Sequence, residues 1–275
     1  MATITAADVN KLRKQTGAGM MDCKKALVEA NGDFENAVDI LRKRGQKVAA
    51  KRADREATEG AVIALTSDDN TSGIVVCVNC ETDFVAKNDS FVNLATTIAN
   101  VALANQPANT DELMALAYDA KMTIGEKLTE QTGVIGEKIE IGGYEKIAAP
   151  FVAAYIHMGN KIGTLVALSD IAEEAGRDIA MQAAAMNPVS LDKDSVPADV
   201  MERELEVGRE QAREEGKPEA MIEKIAMGKL GKFYKENTLV EQQFIKDSSL
   251  TVAGYLNSVK AGLKVVDFKR LSLAV

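Results

Sequence analysis

Few side chains in this sequence could carry chemistry. Cys77-Val78-Asn79-Cys80 spells a C-x-x-C pair, the spacing of a thiol redox centre or of half a zinc site. Glu81 and Asp83 follow at once, two carboxylates close enough in sequence to be weighed for acid–base work. His157 is the only histidine. Gly17-Ala18-Gly19 is glycine-rich but lacks the later glycine and the lysine-serine ending of a phosphate-cradling loop.

None of these makes a catalytic set. On a strand, side chains three apart point to opposite faces, so Cys77 and Cys80 diverge. No second C-x-x-C or paired histidine completes a tetrahedral site. Core cysteines are therefore expected, with no metal and no cofactor. No serine or cysteine nucleophile can be assigned to His157, which suits a contact at a hairpin tip better than a base. Nothing in the sequence builds a pocket around Glu81 and Asp83. Asp83 reads either as a cap for local backbone or as a contact, and Phe84 either as a core anchor or as an exposed one.

The elements that position these residues follow from periodicity. Thr5 caps a helix carrying Val9 and Leu12 and ending at Thr16-Gly17. A second helix runs from about Met21 to Asn31 with Cys23, Ala26, Leu27 and Ala30 inward. Asp33 caps a third, with Ala37, Val38 and Leu41 inward, closing at Gly45. Basic residues at 42, 43, 44, 47, 51, 52 and 55 follow, read either as an anion-contacting strip or as a solvated linker helix. Apolar runs at 61–65 and 73–78 around Asp68-Asp69-Asn70 predict a β-hairpin, then the Thr82-Asp83-Phe84-Val85 loop and a helix over 89–103. Strands at 151–157 and 162–168, a turn at 158–160 and a helix over 175–186 repeat that order about 90 residues later, which predicts a duplicated α+β body with antiparallel sheets. Met201, Leu205, Gly208 and Ala212, then Met221, Ile225 and Gly228, predict the two seams of a projecting helical hairpin over 197–232. Leu263 to Leu273 predicts a last strand. The expected domains are a three-helix module (1–45), a basic linker (46–57) and two core halves (58–147 and 148–275).

Composition bounds the partners. The chain has 275 residues, 46% hydrophobic, 4% aromatic and without tryptophan, so aliphatic residues must fill its core. A net charge of −8 disfavours broad nucleic-acid binding and suits a basic or mixed protein surface. No run approaches the roughly 18 apolar residues of a membrane span. The first residues lack the pattern of a signal peptide, and with three cysteines this points to a reducing cytoplasmic setting.

Two stretches go further: Leu12-Arg13-Lys14-Gln15-Thr16-Gly17-Ala18-Gly19-Met20-Met21-Asp22-Cys23-Lys24-Lys25-Ala26-Leu27 with Asn31-Gly32-Asp33, and Val78-Asn79-Cys80-Glu81-Thr82-Asp83-Phe84-Val85-Ala86-Lys87. In content, order and separation they resemble the two signature motifs of the elongation factor Ts family. With Tyr155-Ile156-His157 and Lys161-Ile162-Gly163, the resemblance spans nearly the whole chain. It implies an exchange factor, not an enzyme, whose partner is elongation factor Tu, the GTPase that delivers aminoacyl-tRNA. It implies a ubiquitin-associated-like N-terminal module touching that GTPase through Arg13, Met20, Met21 and Lys24. It also implies a loop, Thr82, Asp83, Phe84 and Val85, that enters near the nucleotide's Mg²⁺, and a further contact at His157. The 197–232 hairpin resembles a coiled coil that some relatives use for homodimerisation. Cys77 departs from an expected acidic residue, Lys161 from a frequent arginine, and the C-terminal helix of some relatives is not expected here. The rival readings are a passive adaptor working through the N-terminal module and a thiol or metal protein using Cys77 and Cys80.

Overall fold

The computed structural model describes residues 3–273. Contacts divide the chain into two compact units. One holds the segment up to Ile63, Val76–Tyr144 and the residues from Ser272; the other holds Ala64–Val75 and Glu145–Leu271. The fold class is α+β, as expected.

The first unit opens with helices α1 (Ala6–Thr16), α2 (Met20–Glu29) and α3 (Phe34–Lys51). Thr5 and Asp8 form a reciprocal capping box on α1, Gly17 ends it in the left-handed region, and Asp33 caps α3. Leu12, Cys23, Ala26, Leu27 and Ala37 are fully buried where the three helices meet.

One expectation fails here. Helix α3 does not close at Gly45; it continues to Lys51, through most of the basic strip. Gly45 is buried against a later helix, Ile124–Ile135, and a Cβ on Gly133 of that helix would lie 2.3 Å from the Gly45 Cα. A glycine at a helix crossing permits close backbone approach, and here that role outweighs its tendency to end a helix.

The hairpin strands are β1 (Glu59–Thr66) and β2 (Ser72–Cys80). Helices α4 (Asp83–Ala86), α5 (Asp89–Asn105), α6 (Thr110–Ala115) and α7 (Ile124–Ile135) follow, then strand β3 (Glu140–Ala148). The sheet order is β1-β2-β3.

The second unit contains β4 (Phe151–His157) and β5 (Ile162–Leu168), antiparallel in a register running from Phe151↔Leu168 to His157↔Ile162. Met158, Gly159 and Asn160 all take positive φ in the connecting turn. Helix α8 (Glu173–Met186) follows. The helical hairpin is α9 (Ala198–Glu214) and α10 (Glu219–Asn237). Strands β6 (Gln243–Phe244) and β7 (Asp247–Thr251), helix α11 (Val252–Val259) and strand β8 (Val265–Ser272) complete it. β8 joins the first pair in the order β4-β5-β8. Phe151, Val166, Leu168, Ile179, Leu239, Leu256 and Val265 lie in one core. Asp178, buried on α8, accepts from Lys246 Nζ at 2.5 Å and Tyr255 Oη at 3.0 Å, so a charge-assisted network holds the late elements to the helix.

The α9–α10 seam differs from its expectation on the α10 side. Gly208 and Ala212 are buried, but Ile222, Ala226 and Leu230 face them; Met221 and Gly228 are exposed, as is Met201. A Cβ on Gly208 would lie 3.1 Å from the Ala226 Cα, so the backbones nearly touch there.

Candidate functional site: a clamped turn carrying an exposed phenylalanine

Strand β2 ends at Cys80, and the next residues turn away from the sheet. Thr82 is the N-cap of α4, accepting from Val85 N through its hydroxyl. Asn88 caps α5, accepting from Ser90 N at 2.9 Å. Between these caps lies one helical turn, Asp83–Ala86.

Phe84 projects from that turn at 85% exposure, whereas Phe91, Phe151 and Phe244 are buried. Burying a phenylalanine side chain is worth about 1.5–3 kcal/mol. A ring left this open on an ordered turn is free to anchor a partner. The core-anchor reading of Phe84 is therefore overturned.

Asp83 is not a cap, since Thr82 N-caps α4 and Asn88 N-caps the following α5. It pairs instead with Lys87 Nζ one turn on, at 2.6 Å, and this hydrogen bond holds its carboxyl below the usual range. Its side chain keeps 45% exposure, so an ionised carboxylate stands beside the open ring.

The base of the turn is fixed by residues distant in sequence. Glu137 accepts from Thr82 N at 3.0 Å and from Thr82 Oγ1 at 2.7 Å, one oxygen to each. Glu81 accepts from Lys138 N at 2.7 Å and takes Arg52 Nη1 at 2.7 and 2.9 Å on its two oxygens. The Lys138 amide and then Arg52 hold the Glu81 carboxyl below its ordinary range. Glu81 is thus engaged as a strut, not as half of an acid–base pair. Arg52 answers one question about the basic strip: the anion it contacts lies in this chain.

The other expected contacts fall elsewhere. Arg13 and Lys24 are exposed on α1 and α2, and Met20 and Met21, at 52% and 61% exposure, open α2 with Val28 two turns on at 56%. Flexible, polarizable methionines left in solvent suit an apolar groove on a partner. His157 ends β4 in the second unit, half-buried, sharing a 3.0 Å hydrogen bond between its Nδ1 and Tyr155 Oη. No nucleophile is assigned to it.

Cys77 and Cys80 are both buried, the first donating to Asn79 Oδ1 and the second to the Thr82 carbonyl. Burial pushes each thiol up to about 12, which disfavours the reactive thiolate. Among the described residues no group of three or more His, Cys, Asp or Glu is placed to hold a metal, and no helix is long and apolar enough to cross a membrane.

Glu137, Lys138 and Arg52 were not foreseen as parts of the site. Glu137 lies 55 residues beyond Thr82, and no local pattern marks it. The one signal nearby is the Thr123–Glu126 capping box, which could have located α7 and hence the loop that follows it.

Comparison with known proteins bears on the family of the chain. The model of the family described as elongation factor TS matches residues 81–274. An elongation factor Ts from Flavobacterium psychrophilum is 59% identical over 99% of this chain and 100% of its own. One from Christiangramia forsetii is 56% identical with the same coverage, and one from Cytophaga hutchinsonii is 53% identical over 100% of both chains. With the second signature carried on a clamped turn and the matches running almost end to end, the chain belongs to the elongation factor Ts family.

Proposed function

We propose that this chain is a guanine-nucleotide exchange factor for elongation factor Tu, and that Asp83 and Phe84 promote GDP release by entering near the Mg²⁺ and phosphates. Family membership supports the role. The observation that carries the loop assignment is the 85% exposure of Phe84 on a turn N-capped by Thr82 and followed directly by the Asn88-capped α5.

Bound GDP is held by one preorganised set of backbone donors, metal and phosphates. A factor that opposes this set lowers the affinity for GDP, and by reciprocity GDP lowers the affinity for the factor. The ring of Phe84 supplies contact area for a displaced arrangement, with Asp83 and its neighbours Thr82 and Val85 beside it. Met20, Met21, Arg13 and Lys24 supply the anchoring surface, and His157 a further contact. The factor itself binds no nucleotide in this scheme and performs no covalent step. Its setting is the cytoplasm, where translation runs.

The test loads purified elongation factor Tu with a fluorescent GDP analogue and follows release by stopped flow. The full chain is expected to accelerate release at micromolar concentration. Phe84→Ala should weaken productive engagement by about 2–4 kcal/mol, while its melting temperature stays at the parent value because the ring is solvated in the free protein. Parent-like acceleration by Phe84→Ala would remove the ring from the mechanism. A passive adaptor would bind without any acceleration.

A further inference from the structure

The exchange role gives Phe84 a task that depends on what stands behind it. A wedge works only if its base does not yield, and an isolated helical turn of 4 residues has no stability of its own. The pose must be enforced from outside α4.

Two dipeptides do this reciprocally. The Glu137 carboxylate accepts from the backbone N–H and the hydroxyl of Thr82, while the Glu81 carboxylate accepts from the backbone N–H of Lys138. Glu81-Thr82 and Glu137-Lys138 thus cap each other, each giving a side chain and receiving from a backbone. The Thr82 carbonyl is also engaged, by Cys80 Sγ at 3.2 Å and Ala86 N at 3.2 Å, so the cap residue is tied through all of its polar groups. Outside the clamp stands Arg52, the C-cap of α3, forked on Glu81. Lys138 Nζ adds a bond to the Arg55 carbonyl at 3.2 Å. A continuous polar path therefore runs from the end of α3 through Glu81 and the 137–138 pair to the cap of α4.

We infer that Glu137 is a positioning residue for exchange, holding the Asp83-Phe84 turn in its working pose, with Arg52 and Glu81 as its buttress. This rests on the proposed exchange function and adds a residue outside the exposed loop. The geometry makes a distinction between charge and shape. A glutamine at 137 can accept from the Thr82 N–H and donate to the Thr82 hydroxyl, so the fork survives loss of the negative charge. Alanine removes both acceptors.

The experiment measures GDP release from elongation factor Tu across a concentration series of the full chain, separating the maximal rate from the half-saturating concentration. For Glu137→Ala the maximal rate should fall about tenfold or more, the scale set by losing two hydrogen bonds to a charged acceptor. The half-saturating concentration should move much less, since Met20 and Met21 are untouched. Glu137→Gln should restore most of the rate. The double variant Glu137→Ala/Phe84→Ala should be no slower than Phe84→Ala alone, because one acts through the other. Thr82→Val, which keeps the backbone bond but loses the hydroxyl's contacts to Glu137 and from Val85 N, should also lower the maximal rate and serves if Glu137→Ala does not fold.

A parent-like maximal rate for Glu137→Ala, or equal losses for alanine and glutamine with a matching fall in melting temperature, would overturn the positioning role. Additive losses in the double variant would do so too. If the parent chain itself fails to accelerate release, the exchange reading falls instead, and the two failures are told apart in one series.

Discussion

Asp83 and Lys87 sit one turn apart on a surface where water competes for both, so their pair orients the carboxylate more than it stabilises the fold. The buried thiols behave differently. Cys77 and Cys80 are held at about 12, whereas in the unfolded chain they ionise near their ordinary value of 9.0. Below that value both states keep their protons and pH has no effect through these groups. Between about 9 and 12 the unfolded state alone loses protons, so stability falls as pH rises, by up to about 1.4 kcal/mol per pH unit for each thiol. Urea titrations at pH 8, 9 and 10 should show this steepening, and Cys77→Ala/Cys80→Ala should remove it. Iodoacetamide at pH 8 should leave both thiols unmodified until the chain is unfolded. At this scale residue types alone were informative about the cysteines but left Phe84 open, because an aromatic after a strand serves equally as core or as contact until its burial is known; the family resemblance favoured the contact.

Among the elements, the crossing of α3 and α7 is an exacting one. Gly133→Ala would bring a methyl within 2.3 Å of the Gly45 Cα, and backbone cannot give way as a flexible side chain can. We expect a loss of about 1–3 kcal/mol or more, read as a lower urea midpoint. Gly228→Ala is the control: this glycine is exposed within α10, its Cβ would meet nothing within 4 Å, and the change should stabilise by up to about 1 kcal/mol. Both changes are glycine to alanine inside a helix, so propensity alone would give them the same sign. The α3 finding also bears on dissection. Val134 of α7 packs on the three-helix core, and Arg52 forks Glu81, so deleting the first 55 residues would damage more than an anchor. Met20→Ser/Met21→Ser probes the proposed anchoring surface without that damage.

The elements legible from sequence were those with strong alternation or caps. β4 and β5 appear at the expected residues because apolar runs flank a Met-Gly-Asn turn. Thr5, Gly17 and Asp33 announced α1 and α3 by capping chemistry. β3 was not read: its Gly142-Gly143 and charged residues break the apolar pattern, as an edge strand with exposed positions allows. The seam of α10 was misplaced because Met221 and Ile225 have the same spacing as Ile222 and Ala226, and local sequence does not show that Gly208 faces Ala226.

For the molecule as a whole, the two units are not successive stretches of chain. The tip of the first hairpin belongs to the unit built mainly from Glu145 onward, so no single cut separates them. Such interleaving leaves no mark in local sequence, which carries helix and strand periods but not long-range partners. It predicts that removing residues 263–275 harms more than an end. Leu263 and Val265 are buried in the second core and β8 would be lost from its sheet, so this truncation should lose the cooperative urea transition and aggregate. A truncated chain that still unfolded in one transition at the parent midpoint would contradict the assignment of β8 to that core.

The strand order β4-β5-β8 also sets a clock. β5 is the middle strand, yet roughly a hundred residues of synthesis separate its end at Leu168 from the start of β8 at Val265. At ribosomal speeds of about 5–20 residues per second, one edge of an apolar strand waits some 5–20 s for its partner. An unpaired strand edge is a template for other chains. A chain of this family is therefore most vulnerable while still attached to the ribosome that makes it, and slowing translation beyond α8 should raise the fraction that aggregates before release.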